Sequence, residues 1–552
     1  MRPLILVATL ALATAAVAQQ PSPIACADLQ KAKLPDTTIL KAEQYAAGEF
    51  PTTPATPPEM AAAAKLLPAL CRVTAELTPT IDSSIKMELW LPVDHWNGKF
   101  RGQGNGGFAG EINYELLGLS AFAGYATAGT DTGHTASFIN ADWANGHPEK
   151  VADFGYRAIH LMTERSKSLI AMFYRTPAKH SYFAACSDGG REALMEAQRF
   201  PTDYDGILAG APANNWTALI TNSLHNAQVQ VATPDSYIPA SKLPLITNAV
   251  LAACDKQDGL ADGIVTDPSA CHFHPSTLLC KTDAKTSESC LSAPQIVTLE
   301  GLYSGSRSRD GKRIFPGYAV GGEADPGGWA PWIVGNAPGK SLAFGFANAY
   351  FSNMVFPPTS KNDKPGTAYD LKTTSLDDAY NAASAKTATD LNATDPNLAP
   401  FIAHGGKLIL YHGWSDPAIS PYSTIDYYNN VIATTGRQPT ESSVRLYMAP
   451  GMDHCSDGPG PNAFGQFGWL PTDGPDDPKR DAYLALEQWV EQGKAPAEIV
   501  ATQFASQTGQ PAFTPAEVKM TRPLCPYPLV AKYDGTGDPN QAASFACSAA
   551  SR

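Results

Sequence analysis

Two short stretches far apart in the chain combine residue types that serve in nucleophilic hydrolysis. In the first, Ser187 follows Cys186, and in the second, His454 precedes Cys455. A serine hydroxyl is a weak nucleophile at neutral pH, so it needs a base within hydrogen-bond reach, and histidine is the side chain most often used. We therefore interpret the two stretches as parts of one active site, in which Ser187 attacks a carbonyl carbon and His454 takes the serine proton.

The elements around Ser187 would hold it at a sharp turn. Residues 182–185 predict a buried strand, and residues 192–200 have the apolar spacing of a helix. A serine between strand and helix, flanked by small residues, resembles the nucleophile elbow of α/β-hydrolases, although Ala185 stands where the usual pattern has glycine. The alternative is a chance run of small residues, with structural cysteines nearby and an incidental histidine.

A third stretch, between the other two in the chain, supplies an orienting carboxylate. Residues 407–411 predict a strand that leads to Asp416, and residues 444–448 predict another that leads to His454. The order serine, aspartate, histidine, each just past a strand, is that of α/β-hydrolase triads. We therefore predict Ser187, Asp416 and His454 as the catalytic triad, with the aspartate holding the imidazole tautomer.

Two other aspartates are rivals for the carboxylate role. Asp453 and Asp457 lie close to His454 in the sequence. Asp453 directly adjoins the histidine, and side chains of adjacent residues rarely face each other well, so we prefer Asp416. Alternating predicted strands and helices elsewhere indicate a mostly parallel α/β sheet; these segments are 85–91, 100–102, 125–130, 154–174 and 206–210.

A glycine-rich loop early in the chain would complete the site. Residues 104–110 include four glycines and follow a predicted strand, and no Lys-Ser or Lys-Thr comes after them, which excludes a phosphate-binding P-loop. Hydrolases of this type place an oxyanion-hole loop before the nucleophile. We predict that backbone N–H groups of Asp188 and of Gly106 or Gly107 hold the tetrahedral oxyanion. The alternative is a flexible turn.

Composition and the first residues predict an exported protein. Residues 1–18 carry one positive charge, an apolar run and a small-x-small cleavage signal, which is typical of a secretory signal peptide. Ten cysteines fit an oxidising compartment, and the absence of a CxxC motif makes a zinc site improbable. A net charge of −13 disfavours nucleic acid and anionic lipid as partners. We expect a soluble secreted or periplasmic protein that needs no membrane and no obligate protein partner.

The pattern of the chain changes between about residues 214 and 400. Strand and helix alternation fades there, and Gly, Pro and Trp become frequent. We predict a lid domain over residues 214–400, inserted into an α/β-hydrolase domain formed by residues 19–213 and 401–552. The aromatic residues of this insertion either line a substrate site or pack its own core, and they are Trp329, Trp332, Phe344, Phe346, Tyr350 and Phe351.

An acidic loop in the predicted lid has the donors of a cation site. Asp255, Asp258 and Asp262 are spaced among glycines that allow sharp turns, and backbone carbonyls of Leu260 and Ile264 would complete an oxygen shell for calcium. The glutamate at position 12 of an EF-hand loop is missing. The alternative is an Asp/Gly-rich turn that binds no ion.

These motifs together resemble the tannase and feruloyl esterase family, which includes fungal tannases, feruloyl esterases and a bacterial mono(hydroxyethyl) terephthalate hydrolase. The motifs are Cys-Ser-x-Gly-Gly-Arg at 186–191, Asp-x-x-Asp-Gly-x-x-Asp-Gly at 255–263, Gly-x-Ser-Asp at 413–416, His-Cys at 454–455 and Trp-Val-Glu-x-Gly-x-Ala-Pro at 489–496. The resemblance implies an α/β-hydrolase fold with a large inserted lid, a structural calcium ion in the lid, and a disulfide between the cysteines beside the serine and the histidine.

The resemblance also implies roles residue by residue. It makes Ser187, Asp416 and His454 the triad, and it makes the five residues of the acidic loop the calcium ligands. Sequence proximity, backed by the resemblance, predicts local disulfides beside Cys186–Cys455. These pairs are Cys26–Cys71, Cys254–Cys271, Cys280–Cys290 and Cys525–Cys547.

We expect a serine carboxylic-ester hydrolase that cleaves feruloyl, galloyl or terephthaloyl esters through an acyl-enzyme. A serine hydrolase of another specificity, such as an aliphatic esterase or a peptidase, is the enzymatic alternative. A non-catalytic binding protein on a hydrolase scaffold is the other, and the complete candidate triad argues against it. The sequence does not identify the acid, because that choice depends on where the lid aromatics lie.

Overall fold

The fold described here is that of a computed structural model of the chain. It describes residues 22–52, 58–281, 288–357, 370, 372–466, 477–505 and 517–550. The predicted signal peptide, residues 1–18, lies outside the described residues. None of the helices in the described part of the chain is both long and apolar enough to cross a membrane.

A nine-stranded sheet forms the centre of the protein. In chain order its strands are β1 (Thr37–Tyr45), β2 (Leu70–Leu77), β3 (Ile85–Pro92), β4 (Lys99–Gln103), β5 (Ala126–Thr130), β6 (His180–Cys186), β7 (Gly206–Gly210), β8 (Lys407–Gly413) and β9 (Val444–Ala449). Across the sheet they lie in the order β1-β2-β3-β5-β4-β6-β7-β8-β9. In this spatial order, the three pairs from β1 through β2 and β3 to β5 are antiparallel, and the five pairs from β5 through β4 to β9 are parallel. The sheet is therefore mostly parallel, as the sequence predicts.

Helices cover both faces of the sheet and fill the long connection from β7 to β8. The α-helices in the described part of the chain are α1 (Pro58–Ala64), α2 (Tyr114–Phe122), α3 (Pro148–Ala152), α4 (Ala158–Tyr174), α5 (Asp188–Arg199), α6 (Trp216–Gln230), α7 (Leu243–Cys254), α8 (Ala293–Ser304), α9 (Leu342–Tyr350), α10 (Leu376–Leu391), α11 (Ala399–Ala403), α12 (Pro421–Thr435), α13 (Arg437–Ser443) and α14 (Ala482–Gln492). Single π-helical turns occur at Asp153–Arg157, Ala330–Val334 and Phe351–Val355. The helix predicted from residue 154 therefore begins with such a turn before α4.

The central strands are buried on both faces, which is why they are continuously apolar in the sequence. Along β6, Phe183 and Ala185 belong to one core, together with side chains of α4, α5 and α12. Ala184 and Cys186, which alternate with them, belong to the opposite core with α14. This two-sided packing fixes the register of β6 and so fixes where its last residue presents Ser187.

The connection between β7 and β8 carries α6 to α11 and, within its described residues, adds no strand to the sheet. One hydrophobic core, around Trp329, lies within the connection, whereas another, around Tyr350 and Phe351, is shared with residues outside it such as Phe108 and Phe154. This helical connection corresponds to the predicted lid, whose limits at 214 and 400 stay a prediction.

Two antiparallel strand pairs follow α14, and five disulfides cross-link the chain. The strand pairs are β10 (Ile499–Phe504) with β11 (Val518–Leu524) and β12 (Leu529–Tyr533) with β13 (Phe545–Ala549). The structure pairs the cysteines as Cys26–Cys71, Cys186–Cys455, Cys254–Cys271, Cys280–Cys290 and Cys525–Cys547. Such a set of disulfides is typical of proteins that fold in an oxidising compartment.

Candidate active site

Ser187 lies at the turn between β6 and α5 with a strained backbone. Its φ of 66° and ψ of −123° are outside the regions that a serine ordinarily occupies, which costs about 1–3 kcal/mol. Hydrogen bonds to the next strand and its loop hold this conformation: Ser187 N–H donates to Gly210 O at 3.0 Å, and Ala213 N–H donates to Ser187 O at 3.0 Å. The turn lifts the hydroxyl above the strand end, as expected for a nucleophile elbow.

Small residues around the turn make room for it. A Cβ atom at Gly190 would lie 2.3 Å from Gly210 O, and one at Gly189 would lie 2.5 Å from the methyl carbon of Ala185. On the other side, a Cβ atom at Gly104 would lie 2.6 Å from the same methyl carbon. The methyl group of Ala185, where the family pattern has glycine, fits because the two residues that face it are glycines.

Ser187, His454 and Asp416 form one chain of hydrogen bonds. His454 Nε2 lies 2.9 Å from Ser187 Oγ, and His454 Nδ1 lies 2.8 Å from Asp416 Oδ2. With Nδ1 protonated and donating to the carboxylate, Nε2 keeps the lone pair that accepts the serine proton. The structure thus brings the three predicted residues together in the arrangement that a general base requires.

Asp416 is buried and surrounded by hydrogen-bond donors. Its Oδ1 accepts from the backbone N–H groups of Ala418 and Ile419 at 2.8 and 2.9 Å. Its Oδ2 accepts from His454 and also lies 3.1 Å from Nε2 of His412. Burial alone would raise the pKa of Asp416, but the attraction of His454 and the hydrogen bonds of both imidazoles hold the pKa well below its usual range. Asp416 is therefore an ionised carboxylate fixed in one orientation.

The rival aspartates do not contact the His454 ring. The side chain of Asp457 is exposed. Asp453 is buried and faces Asp325, which comes from the β7–β8 connection. Burial first, and then the facing carboxyl of Asp325, raise the pKa of Asp453 well above its usual range. A carboxyl group that stays protonated at neutral pH cannot supply the negative charge that an imidazolium needs.

A disulfide joins the two catalytic segments. Cys186, the last residue of β6, is bonded to Cys455, and their Cα atoms are 6.0 Å apart. Cys455 has a φ of 65°, so the loop that carries His454 turns sharply directly after the histidine. The bond therefore fixes the loop of His454 against the strand end that carries Ser187.

The glycine-rich loop is anchored beside Ser187 through Asn105. The backbone N–H of Asn105 donates to Glu192 Oε2 at 2.9 Å, and its carbonyl accepts from Gly189 N–H at 2.9 Å. Its side-chain amide donates to the carbonyls of Thr130 and Glu111 at 2.9 Å each. These contacts with α5 and β5 hold the loop at a fixed distance from the first turn after the nucleophile.

The predicted oxyanion-hole residues line the same cavity as Ser187. Gly106, Gly107 and Asp188 all border it. Within the described residues, no carbonyl accepts a hydrogen bond from the backbone N–H of Gly106 or Gly107. A Cβ atom at Gly106 would meet nothing within 4 Å, whereas one at Gly107 would lie 2.3 Å from Phe138 O. Gly106 is the more open of the two candidates.

Arg191 stabilises the first turn of α5, and the sequence analysis assigns it no role. Its fully buried guanidinium donates to Asp188 Oδ1 at 2.6 Å and to the carbonyls of Gly155 and Phe154 at 2.5 and 3.1 Å. The guanidinium carbon also lies 4.7 Å from the centre of the Phe154 ring. In the sequence, the position of Arg191 directly after Gly189-Gly190 in the motif is the signal that indicates these contacts.

A cavity of about 670 Å³ opens over Ser187 and His454. Trp332 lies edge-on to His454, with 5.4 Å between ring centres, and stacks with Phe346 at 6.2 Å. Among the described residues that line the cavity, none is a lysine or an arginine, and Glu111 and Glu115 add negative charge. The aromatic residues that line it are Tyr114, Phe138, Trp216, Trp332 and Phe346.

The sequence predicts some of the aromatic residues that line this cavity. Of the six insertion aromatics it names, Trp332 and Phe346 line the cavity, whereas Trp329, Tyr350 and Phe351 are buried in cores of the insertion. It does not identify the face that α6 contributes. The spacing of that face is helical, which indicates a buried helix face but not a cavity wall, and its residues are Trp216, Leu219, Ile220 and Ser223.

The acidic loop that the sequence analysis assigns to calcium makes internal contacts. Asp258 Oδ2 accepts from Thr266 Oγ1 at 2.8 Å, and Asp262 Oδ2 lies 2.7 Å from a guanidinium nitrogen of Arg522. Backbone N–H groups at 260, 263 and 264 donate to the three aspartates. Its donor set is all oxygen, which suits calcium, but the three carboxylates are not drawn together as ligands of one ion are.

A different group of side chains in the described part of the chain meets the spacing for a metal ion. One ligand atom each from His160, Glu196 and Asp203 lies within 4.8 Å of the others. His160 Nδ1 and Asp203 Oδ2 are 2.7 Å apart, and Lys167 hydrogen-bonds the backbone carbonyl of Asp203. Glu196 and Asp203 are buried and His160 is half-buried, and none of the three lines the active-site cavity.

Solved structures of similar shape include two fungal enzymes. The feruloyl esterase B of Aspergillus oryzae matches with a TM-score of 0.82 at 29% identity, covering 95% of this chain and 99% of that one. The tannin acyl hydrolase of Aspergillus niger matches with a TM-score of 0.69 at 24% identity, covering 93% and 92% of the two chains. These likenesses, with the central sheet and its strand order, identify the α/β-hydrolase fold.

Comparisons of sequence agree with those of shape. An uncharacterized esterase of Xanthomonas campestris is 39% identical over 98% of this chain and 94% of its own length. A probable feruloyl esterase B of Aspergillus clavatus is 32% identical over 98% of this chain and 99% of its own. The family model for tannase and feruloyl esterase matches residues 71–548. The resemblance found in the motifs is thereby confirmed, and the chain belongs to the tannase and feruloyl esterase family of carboxylic-ester hydrolases.

Proposed function

We propose that the protein hydrolyses esters of aromatic acids through an acyl-enzyme formed on Ser187. The observation that carries this proposal is the continuous hydrogen-bonded chain from Ser187 through His454 to Asp416, at the floor of an aromatic-lined cavity. The family supports the reaction class, and the names of the fungal relatives support the aromatic acyl group.

In the first half-reaction, Ser187 Oγ attacks the ester carbonyl carbon while its proton passes to His454 Nε2. The carbonyl π electrons move to oxygen, and a tetrahedral oxyanion forms. The backbone N–H of Asp188 and that of Gly106 or Gly107 donate hydrogen bonds to this oxyanion. The intermediate then expels the alkoxide, which takes the proton from His454 and leaves as the alcohol. Asp416 stabilises the imidazolium that exists between these two transfers.

The second half-reaction repeats the sequence with water. His454 Nε2 takes a proton from a water molecule, whose oxygen attacks the acyl carbon, and the oxyanion again forms at the same N–H groups. The bond to Ser187 Oγ breaks, and the serine recovers the proton from His454. The carboxylic acid product is released ionised at neutral pH, and the negative charge of Glu111 and Glu115 at the cavity would favour its departure.

The charge of the cavity favours neutral acyl groups. A feruloyl or galloyl group is an uncharged aromatic ring with hydroxyl or methoxy substituents, whereas mono(hydroxyethyl) terephthalate carries a free carboxylate. Without a cation in the described lining, burying that carboxylate beside Glu111 and Glu115 would be unfavourable. We therefore infer that feruloyl and galloyl esters are better substrates than the terephthalate half-ester.

Hydrolysis of methyl ferulate, methyl gallate and mono(hydroxyethyl) terephthalate, measured side by side, tests the substrate class. We expect the first two to exceed the third in kcat/KM by at least about tenfold. Butyl acetate and a peptide anilide test for an aliphatic esterase and a peptidase, and a higher kcat/KM on either would replace our proposal.

Ser187→Ala tests the nucleophile. We expect the variant to fold with the same melting temperature and to lose at least about 10⁴-fold in kcat. A serine-directed phosphonate should label wild type once and the variant not at all. Retention of more than about a tenth of the wild-type rate would remove Ser187 from the mechanism and favour another active site.

We further propose that calcium stabilises the acidic loop of residues 255–264. Support comes from the oxygen-only donor set and from the family motif at 255–263, with Asp255, Asp258, Asp262 and the carbonyls of Leu260 and Ile264 as ligands. A bound ion would offset the mutual repulsion of the carboxylates; the ion takes no part in the reaction. Elemental analysis of purified protein should find one calcium per chain, and chelation should lower the melting temperature until calcium is returned.

The experiment distinguishes the two candidate metal sites. Asp258→Asn should abolish the effect of calcium on melting, whereas Glu196→Gln should leave it unchanged. Protein that contains no calcium and melts identically with and without chelator would show that the loop is a turn only.

We also propose that the protein is exported. The charge and apolar run of residues 1–18 and the five disulfides support this. Amino-terminal sequencing of protein secreted by its own host should begin after residue 18. Full-length protein retained in the cytoplasm with reduced cysteines would contradict it.

A further inference from the structure

His412 is a fully buried histidine at the end of β8 that contacts the same carboxylate oxygen of Asp416 as His454 does. Its Nε2 lies 3.1 Å from Asp416 Oδ2 and 3.0 Å from the carbonyl oxygen of Ile419. Its Nδ1 lies 2.7 Å from the hydroxyl of Thr424, which is itself buried. The ring does not line the active-site cavity and so cannot touch substrate.

These partners define the tautomer of His412. Both neighbours of Nε2 are acceptors, so Nε2 carries a hydrogen. The Thr424 hydroxyl can donate to Nδ1, which lets the ring satisfy every contact while neutral. Two imidazole N–H groups, from His412 and His454, therefore converge on the same oxygen of Asp416.

We propose that His412 is a positioning residue of the triad, which fixes the Asp416 carboxylate and weakens its pull on the His454 proton. This inference rests on the proposed serine mechanism. The backbone N–H groups of Ala418 and Ile419 hold Oδ1, and His412 adds a second fixed donor to Oδ2, the oxygen that contacts His454. Thr424, on α12, holds the ring of His412 in the tautomer that makes this contact.

The effect on charge has a definite direction. The N–H dipole of His412 places a partial positive charge beside Asp416 Oδ2, which reduces the negative potential at His454. Removing that dipole would stabilise the His454 imidazolium and leave less neutral base at a given pH. The acid limb of the kcat/KM profile would then move to higher pH, because the reaction needs neutral His454.

Other ionisable groups close to Asp416 do not replace this contact. Tyr318, from the β7–β8 connection, accepts a hydrogen bond from Asn226 at 2.9 Å, and burial raises the pKa of its phenol. Asp453 is held protonated by burial and by Asp325. His412 is thus the donor that shares Oδ2 of Asp416 with His454.

His412→Leu removes the donor and His412→Gln places an amide N–H near the position of Nε2. For the leucine variant we expect a kcat lower by about 10- to 100-fold, KM within about twofold, and an acid limb moved to higher pH. For the glutamine variant we expect kcat within about threefold of wild type and the wild-type acid limb. Rates are expressed per site titrated with the phosphonate, so that misfolded protein is not counted.

Thr424→Val serves as a second variant that leaves the histidine in place. Loss of the hydroxyl leaves Nδ1 without its partner and holds the ring less firmly, so kcat should fall and the acid limb should move in the same direction by less. The matched control is His225→Leu, at a half-buried histidine whose Nε2 lies 3.2 Å from Gly301 O and which does not line the cavity. It should lower the melting temperature without moving the pH profile.

The inference is overturned if His412→Leu and Thr424→Val, per titrated site, keep the wild-type kcat and acid limb. It is also overturned if His412→Gln is as impaired as His412→Leu. Failure of the serine mechanism itself has a different signature, namely an active Ser187→Ala variant or no phosphonate labelling of wild type.

Discussion

Asp416 contacts His454 and Asp453 precedes it in the chain, and the surroundings of these two buried aspartates give them opposite charge states. Asp416 accepts four N–H donors, which hold its pKa well below the usual range although the group is buried. Asp453, adjacent to His454 in sequence, faces another carboxyl, and burial together with Asp325 raises its pKa. Proximity in sequence to the histidine thus does not decide which carboxyl is ionised; the number of N–H donors around each carboxyl does.

The largest expected effect separates the two aspartates directly. Asp416→Asn should lower kcat by about 10⁴-fold, because an amide cannot hold the catalytic tautomer or stabilise the imidazolium. Asp453→Asn replaces an already neutral carboxyl by a neutral amide of the same shape, so kcat should stay within about threefold. Steady-state kinetics on methyl ferulate measure both. Equal losses in the two variants would mean that both carboxyls act on His454.

The next effect concerns the disulfide that holds both regions to the nucleophile strand. Changing Cys186 and Cys455 together to alanine removes the link between the loop of Asp453-His454 and β6. Misplacement of a catalytic group by about 1 Å costs around a hundredfold in rate, so we expect a loss of that order in kcat and a smaller loss of stability. Non-reducing peptide mapping of wild type is the control. A free Cys186 in active enzyme would refute this role.

A smaller effect distinguishes the aspartates by pH. Because the pKa of Asp453 is raised on folding, the folded state keeps a proton that the unfolded chain releases above about pH 4, and stability falls as pH rises from there toward the raised value. Asp453→Asn should therefore increase the melting temperature most at pH 8 and least at pH 4.5. Asp416, whose pKa is lowered, contributes stability that is present above about pH 4 and is lost in acid. If Asp453→Asn changed the melting temperature by the same amount at every pH, the raised pKa of Asp453 would be contradicted.

The smallest expected effect on kcat is that of a substitution at Ala185, near the end of β6. Ala185→Gly restores the usual family residue, yet the methyl group already fits against Gly189 and Gly104. We expect kcat within about twofold of wild type and a slightly lower melting temperature, because glycine in a strand costs roughly 0.5–1 kcal/mol. A large gain in kcat would show that the methyl group distorts the elbow.

The sequence predicts the parts of this site that are encoded by local motifs. Ser187, Asp416 and His454 each follow a strongly apolar strand, so their order and context are visible in the chain. His412 is not predicted, because at the end of β8 it occurs within an apolar run and its role depends on a partner on α12. The contact of Asp453 with Asp325 is likewise invisible, since the two residues are brought together only by the packing of the insertion.

The elements of the fold can likewise be divided into those that the sequence predicts and those that it does not. Among the parallel strands, β6, β7 and β8 are predicted because both of their faces are buried and their sequences are mostly apolar. The antiparallel strands β1 and β2 are missed, because polar residues alternate along them where one face is exposed. The cavity wall on α6 is missed for another reason: a helical stripe indicates burial but does not say whether protein or substrate covers it.

The link between Cys186 and Cys455 also has a consequence for biosynthesis. The two cysteines are 269 residues apart, and both Cys254–Cys271 and Cys280–Cys290 lie inside the loop that they close. In the export that we propose, Cys186 meets four later thiols before its own partner has been synthesised. Pairing in order of appearance would therefore give inactive isomers. Recombinant production should depend on a disulfide isomerase, and the yield of active enzyme, rather than of total protein, should rise when one is co-expressed.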